Sequence, residues 1–317
     1  MSRLRALGSV WLVLAALVLT ACGTYDDEAD TRAGQQPQGA ALRITLGTQA
    51  FPEARILGEL WRQALAVNGY TVDLRKGVGP AAALDKLLRD GDIDGHVAYT
   101  GTVLSVVAGE EVSGLDPAQT YSRAKAFYDG REMAMSTMTP FQNKDAIATT
   151  RELAQRERLR TIADLRKVRP LTLGGRAEFE DLTLGLRGLE ERYRLTGVRF
   201  RPLELGSQYA ALDAGDVQAV NAFTTDPQLR GGTYTVLEDP ELLFGSQNVV
   251  MTVRQDKLDS VGGKKFLAVV SAVNGRLTQS DMVDLNAEVT GGESDEDVAR
   301  GFLRSEGLLE PMRAGDG

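Results

Sequence analysis

The sequence holds one cysteine, Cys22, and one histidine, His96, in 317 residues. That scarcity excludes a disulfide framework, a Cys/His zinc cluster and a Cys-His dyad, and it leaves a Ser-His-Asp triad only if His96 serves it alone. A basic field is missing too. Lys and Arg number 36 against 44 Asp and Glu, a net charge of −8, so the phosphate-tracking surface of a nucleic-acid binder is not supplied and no nucleic-acid partner is expected. The unbroken apolar run Val10 to Leu19 would span about 15 Å as a helix, half the hydrocarbon core of a bilayer. What is present is ordinary for a folded chain: 43% hydrophobic and 25% charged residues exclude wholesale disorder. The 34 glycines follow no period and indicate turns rather than a fibre. The length suits one large or two medium domains.

The first 21 residues read as an address. Arg3 and Arg5 precede the short apolar run, as in a secretory signal. The run ends in Leu19-Thr20-Ala21-Cys22, which resembles the bacterial lipobox and implies lipid on Cys22. Residues 22–40 are polar, aperiodic and rich in Gln and Gly, the composition of a flexible tether. Two acyl chains would hold such a protein firmly. The expected location is the outer face of the cytoplasmic membrane, facing a periplasm or a cell-wall space. No ATP or NADH is found there, and no cofactor is expected.

The body carries a repeated unit. Leu42 to Leu46 forms a short β-rich run, and Pro52-Glu53 opens an amphipathic helix to about Val67 with Ile56, Leu57, Leu60, Trp61 and Leu65 on one stripe. A strand near Thr71 to Arg75 and a helix ending near Arg89 follow, a strand–helix alternation that implies a mainly parallel sheet. The later chain repeats this order. Leu88 to Thr102 (LRDGDIDGHVAYTGT) aligns with Leu212 to Asp226 (LDAGDVQAVNAFTTD) at an offset of 124, which pairs Tyr99 with Phe223. The expected fold class is α/β, with two similar lobes of sheet flanked by helices. Such lobes bind ligands at strand carboxyl ends and close about a hinge.

Those residues carry a resemblance. GTQAFPEARILGELWRQALAVNGY, GDIDGHVAYTGT, LRTIADL, GLRGLEERYRL, SQYAALDAGDVQAVNAFTTD, VLEDPELLF and LNAEVTGGESDEDVARGFLRSEGLL, in that order, are similar to substrate-binding proteins of osmoprotectant ABC importers, which bind glycine betaine, choline and carnitine. The resemblance spans residues 43 to 310. It implies a two-lobed type-two periplasmic-binding-protein clamp that captures a small polar or quaternary-ammonium compatible solute and delivers it to ABC permease subunits in the membrane. It implies no catalysis and no metal. The chain of that fold crosses between lobes twice, which places lobe one at 41–140 plus 248–317 and lobe two at 141–247. Each clamp works alone, so a monomer is expected.

The family holds a quaternary ammonium against aromatic faces, because a methylated cation has no hydrogen-bond donors and is attracted to ring quadrupoles. By resemblance, Tyr99 and Tyr209 match cage tyrosines and Phe223 falls where the family often has Tyr. Thr48 and Gln49, between a strand and a helix start, offer N–H groups and an amide to a ligand carboxylate or hydroxyl, and Thr100 adds a hydroxyl. Two positions depart from the family pattern: Asp145 stands where an aromatic is common, and Gln247-Asn248 replace a Tyr pair. Asp145 and Asn248 are expected to contact ligand, and a buried Asp145 needs a partner such as Lys144, Arg176 or the ligand itself. Two alternatives stay open: an enzyme on the same clamp with Asp145 and Glu178 in acid–base roles, and a surface lipoprotein that acts by protein contact as a sensor partner.

Overall fold

The computed structural model describes residues 42–204 and 206–312. The signal segment, Cys22 and the tether lie outside the described residues. Strands and helices alternate as the repeat implies. Strand β1 (Leu42–Gly47) leads through the helix Pro52–Val67 to β2 (Tyr70–Arg75), then through the helix Ala81–Asp90 to β3 (Gly95–Tyr99). Helix Pro117–Asp129 and β4 (Met133–Met135) complete this stretch. The chain then crosses to β5 (Asp145–Thr150), β6 (Thr172–Gly175), β7 (Arg199–Pro202), β8 (Ala219–Phe223) and β9 (Tyr234–Val236). It returns as β10 (Val249–Arg254), followed by the helices Gln255–Ser260, Gly263–Asn274, Gln279–Thr290 and Asp295–Ser305.

Two five-stranded sheets result, ordered β2-β1-β3-β10-β4 and β7-β6-β8-β5-β9. In each, three strands run parallel, the fourth is antiparallel to its neighbours, and the fifth pairs antiparallel with the fourth. Four strands of each sheet therefore point one way. The antiparallel strand is β10 in one sheet and β5 in the other, each being the first strand after a crossing between lobes. The equivalence of β1, β2, β3 with β6, β7, β8 is the structural form of the repeated sequence, and the two-lobed α/β class is the one expected.

Burial explains the elements. The stripe Ile56, Leu57, Leu60, Trp61 and Leu65 is buried against β1, β10 and the C-terminal helices, and each such side chain contributes about 1.5–3 kcal/mol relative to exposure. Trp61 also donates its Nε1–H to Asn274 Oδ1 at 2.8 Å, and Asn274 Nδ2 donates to Thr137 O at 2.7 Å. That chain of bonds pins the helix Gly263–Asn274 beside the first crossing. The acidic run from Glu293 starts a helix: Ser294 caps it, and Asp295 in its first turn pairs with Arg55 at 2.9 Å. No helix among the described residues is long and apolar enough to cross a membrane.

Candidate functional site

Parallel strands end together, so the carboxyl ends of β1, β3, β6 and β8 gather on the edges of the two lobes that meet at the crossings. Thr48 and Gln49 follow β1, Tyr99 ends β3, Arg176 follows β6, and Phe223 ends β8. The crossings are joined by the isolated bridge Gln142–Asn248. The turn after β3 runs so close to the returning chain that a Cβ on Gly101 would lie 2.5 Å from Ser246 O. Only glycine fits there. Further bonds tie the lobes on both flanks. Gln279 Nε2 donates to Thr224 O at 2.9 Å, Arg230 pairs with Asp284 at 2.9 Å, and Gly114 N donates to Leu242 O at 2.9 Å.

Glu53 lies at the centre of this meeting. Pro52 starts the helix, and Glu53 stands in its first turn, where a negative charge suits the helix dipole. Its carboxylate is nonetheless buried, with the residue 2% exposed. It accepts hydrogen bonds from Tyr99 Oη at 2.8 Å, Asn143 Nδ2 at 3.1 Å and Asn286 Nδ2 at 3.2 Å, and from Thr225 of the opposite lobe. Burial raises its pKa and the four donors oppose the rise. Beside it opens a cavity of about 690 Å³, lined among others by Phe51, Glu53, Asn143, Phe223, Asp226 and Asn286. That volume lies in the range of small-molecule sites. Asp226 accepts from Tyr209 Oη at 2.8 Å and from Phe223 N at 2.9 Å, and burial raises its pKa with Asp145 adding to the rise. Neither Glu53 nor Asp226 has a basic partner within salt-bridge distance among the described residues.

On the lobe-two side of Phe223 the charges are paired. Arg176 Nη1 donates to Asp145 Oδ1 at 2.6 Å and Nη2 to Asp145 Oδ2 at 3.1 Å. Asn221 joins both: its Oδ1 accepts from Arg176 Nη1, and its Nδ2 donates to Asp145 Oδ1 at 2.8 Å. Lys144 turns instead to Gly245 O at 3.3 Å.

The expected site residues fall into three groups. Phe223 lines the cavity. Tyr99 stands one layer behind it, its ring 5.9 Å from that of Phe51 and its hydroxyl on Glu53. Tyr209 is a core residue that packs on Tyr234 at 4.7 Å and reaches the site through Asp226. The second group, Thr48, Gln49, Thr100 and Asn248, is buried and lies outside the cavity lining. Thr48 donates to Gln49 O at 2.9 Å, Thr100 N donates to Asn248 O at 3.0 Å, and Asn248 Nδ2 donates to Thr139 O at 2.9 Å. Three side-chain oxygens of that group, Gln49 Oε1, Thr100 Oγ1 and Asn248 Oδ1, have no hydrogen-bond partner among the described residues. The third is Asp145, consumed by Arg176 and Asn221 and away from the cavity lining. Sequence reasoning missed Phe51, Glu53, Asn143, Asp226 and Asn286. Phe51 and Glu53 lay inside the motif GTQAFPE, where Pro52 marked the helix start and nothing marked the burial.

A family model for the substrate-binding domain of ABC-type glycine betaine transport systems matches residues 43–305. A glycine-betaine-binding protein of Pseudomonas aeruginosa is 29% identical over 293 residues, 88% of this chain and 92% of its own. The Helicobacter pylori ergothioneine transport permease/ergothioneine binding protein EgtU is 23% identical over 84% of this chain, which spans 48% of that relative's length. A solved glycine betaine/carnitine/choline ABC transporter structure shares the fold, with a TM-score of 0.78 at 22% identity over 84% of this chain and 100% of that one. The matched segment runs from β1 through the last helix and takes in both lobes, and the chain belongs to the family of substrate-binding domains of ABC-type glycine betaine transport systems.

Proposed function

We propose that this chain is the extracytoplasmic receptor of an ABC importer, which captures a small cationic or zwitterionic compatible solute between its lobes and delivers it to the permease. One observation carries the reading. A cavity of about 690 Å³ between the lobes is walled by the rings of Phe51 and Phe223 and by the carboxylates of Glu53 and Asp226, which have no basic partner among the described residues. Uncompensated negative charge next to aromatic faces favours a positively charged ligand. The relatives' names, one for glycine betaine and one for ergothioneine, keep the solute class wider than one compound. The receptor would hang from the membrane by lipid on Cys22 and act as a monomer, returning its solute unchanged rather than as an enzyme.

The test is thermal stabilisation of the purified protein against a panel of betaines, choline, carnitine, amines and polyols. A ligand at a hundred times its Kd adds about 2.7 kcal/mol to the native state. A shift with one cationic solute, lost in Phe223→Ala, supports the receptor. Stabilisation by no solute, with retention of a protein partner instead, would replace it with the contact-acting lipoprotein.

A further inference from the structure

Phe223 has neighbours of two kinds. It lines the cavity, and the guanidinium carbon of Arg176 lies 5.5 Å from its ring centroid. The same guanidinium lies 5.4 Å from the Phe179 ring. The ring on which a ligand cation would rest therefore already holds a cation of the chain. The fold fixes that cation firmly. Strands β6, β8 and β5 are neighbours, Asp145 is paired with Phe223 in the β5–β8 register, and Asn221 lies two residues before Phe223. Arg176 leaves the end of β6 into this corner and meets both oxygens of Asp145 and Oδ1 of Asn221. The side chains of Arg176 and Asp145 are 18% and 23% exposed, so water screens their charges only in part.

We infer that the Asp145–Arg176 pair sets how strongly the cleft holds a cation: Arg176 opposes a ligand cation at Phe223, and Asp145 offsets that opposition. The inference rests on the cation-binding reading above and deepens it. Recognition of ligand charge then falls to Glu53 and Asp226, with Phe223 a weakened wall. The solute class is a cation met by carboxylates rather than one held by a complete ring cage. The departure of Asp145 from an aromatic residue is explained in the same way, as the counter-charge that an arginine at this corner requires.

Isothermal titration of tetramethylammonium, choline and glycine betaine into wild type, Arg176→Gln, Arg176→Lys and Asp145→Asn tests this. Arg176→Gln should tighten tetramethylammonium binding about three- to tenfold, and Asp145→Asn should weaken it by a similar factor. Arg176→Lys keeps the charge without the fork and should fall nearer wild type than Arg176→Gln does. A pair with a purely structural role predicts weaker binding in every variant. Weaker or unchanged binding in Arg176→Gln, with wild type binding a probe, overturns this inference and leaves the receptor standing. If neither wild type nor any variant binds a probe, the cation-binding reading falls and takes the inference with it, and the wider solute panel decides the receptor. Thermal melts accompany each titration; should Asp145→Asn fail to fold, the Gln and Lys variants of Arg176 still decide.

Discussion

Glu53→Gln removes one charge and almost no volume from the most buried acid of the cleft. The wild-type carboxylate is 2% exposed, accepts from Tyr99, Asn143, Asn286 and Thr225, and faces no cation of the chain among the described residues. Burial holds its pKa above the ordinary value of 4.5. A raised carboxyl pKa means that the folded state binds the proton more tightly than the unfolded chain does. The stability this supplies is fully present below the unfolded value and is lost as pH rises through the folded one. Wild type should therefore lose stability relative to Glu53→Gln as pH climbs from the ordinary carboxylate range, with the gap levelling off above the raised pKa. The amide itself is accommodated cheaply. Asn143 Oδ1 has no hydrogen-bond partner among the described residues, so that amide can turn to accept the new N–H while Asn286 Nδ2 stays on Thr225 O at 2.9 Å, at a cost of about 1 kcal/mol. Ligand binding should suffer more. A monovalent cation about 6 Å from the carboxylate at an effective dielectric constant of about 20 gains about 2.8 kcal/mol, and its loss weakens Kd about a hundredfold. Urea denaturation of both proteins across the acidic to neutral range reads the first effect, and calorimetric titration of choline reads the second. A stability gap that does not change with pH, or choline bound by Glu53→Gln within about threefold of wild type, would refute the reasoning.

Tyr99→Phe keeps the ring against Phe51 but removes the 2.8 Å donor to Glu53; it should cost about 1.5–3 kcal/mol in denaturant and raise the Glu53 pKa further, so cation affinity is lost at a higher pH than in wild type. Gly101→Ala places a Cβ 2.5 Å from the backbone oxygen of Ser246 and 3.0 Å from Gln247 Cδ; since neither crossing can retreat without the other, a loss of about 1–3 kcal/mol is expected, and an unchanged melting temperature would contradict the close approach. If lipid on Cys22 anchors the chain as proposed, Cys22→Ala should release the protein from membrane fractions while leaving solute titrations of the released protein as in wild type, since Cys22 precedes the first described strand.

The parts of the fold that were legible are those that neighbouring residues decide. The apolar stripe from Ile56 to Leu65 places its helix at Pro52–Val67. The repeated Gly-Asp segment puts Tyr99 and Phe223 at the last positions of equivalent strands β3 and β8. Glu53 was not legible. An acid in a first helical turn has a sufficient local explanation in the helix dipole, whereas its burial is made by Asn143, 90 residues away, and Asn286, 233 away. Asp145 falls between these cases. That a carboxylate at the cleft must find a partner follows from desolvation alone, but Lys144 and Arg176 are equal candidates until the order β6-β8-β5 is known. The sheet decides for Arg176, and Lys144 is drawn to Gly245 O. Of the rings that the resemblance named, Phe223 alone lines the cavity, while the second ring, Phe51, and the balance of charge around both depend on which strands are neighbours and on how two lobes meet. In a clamp, the affinity for a cation is set by that balance as much as by the rings. Substitutions at Glu53 and Arg176 are for that reason expected to move solute affinity in opposite directions, although only one of the two residues lines the cavity.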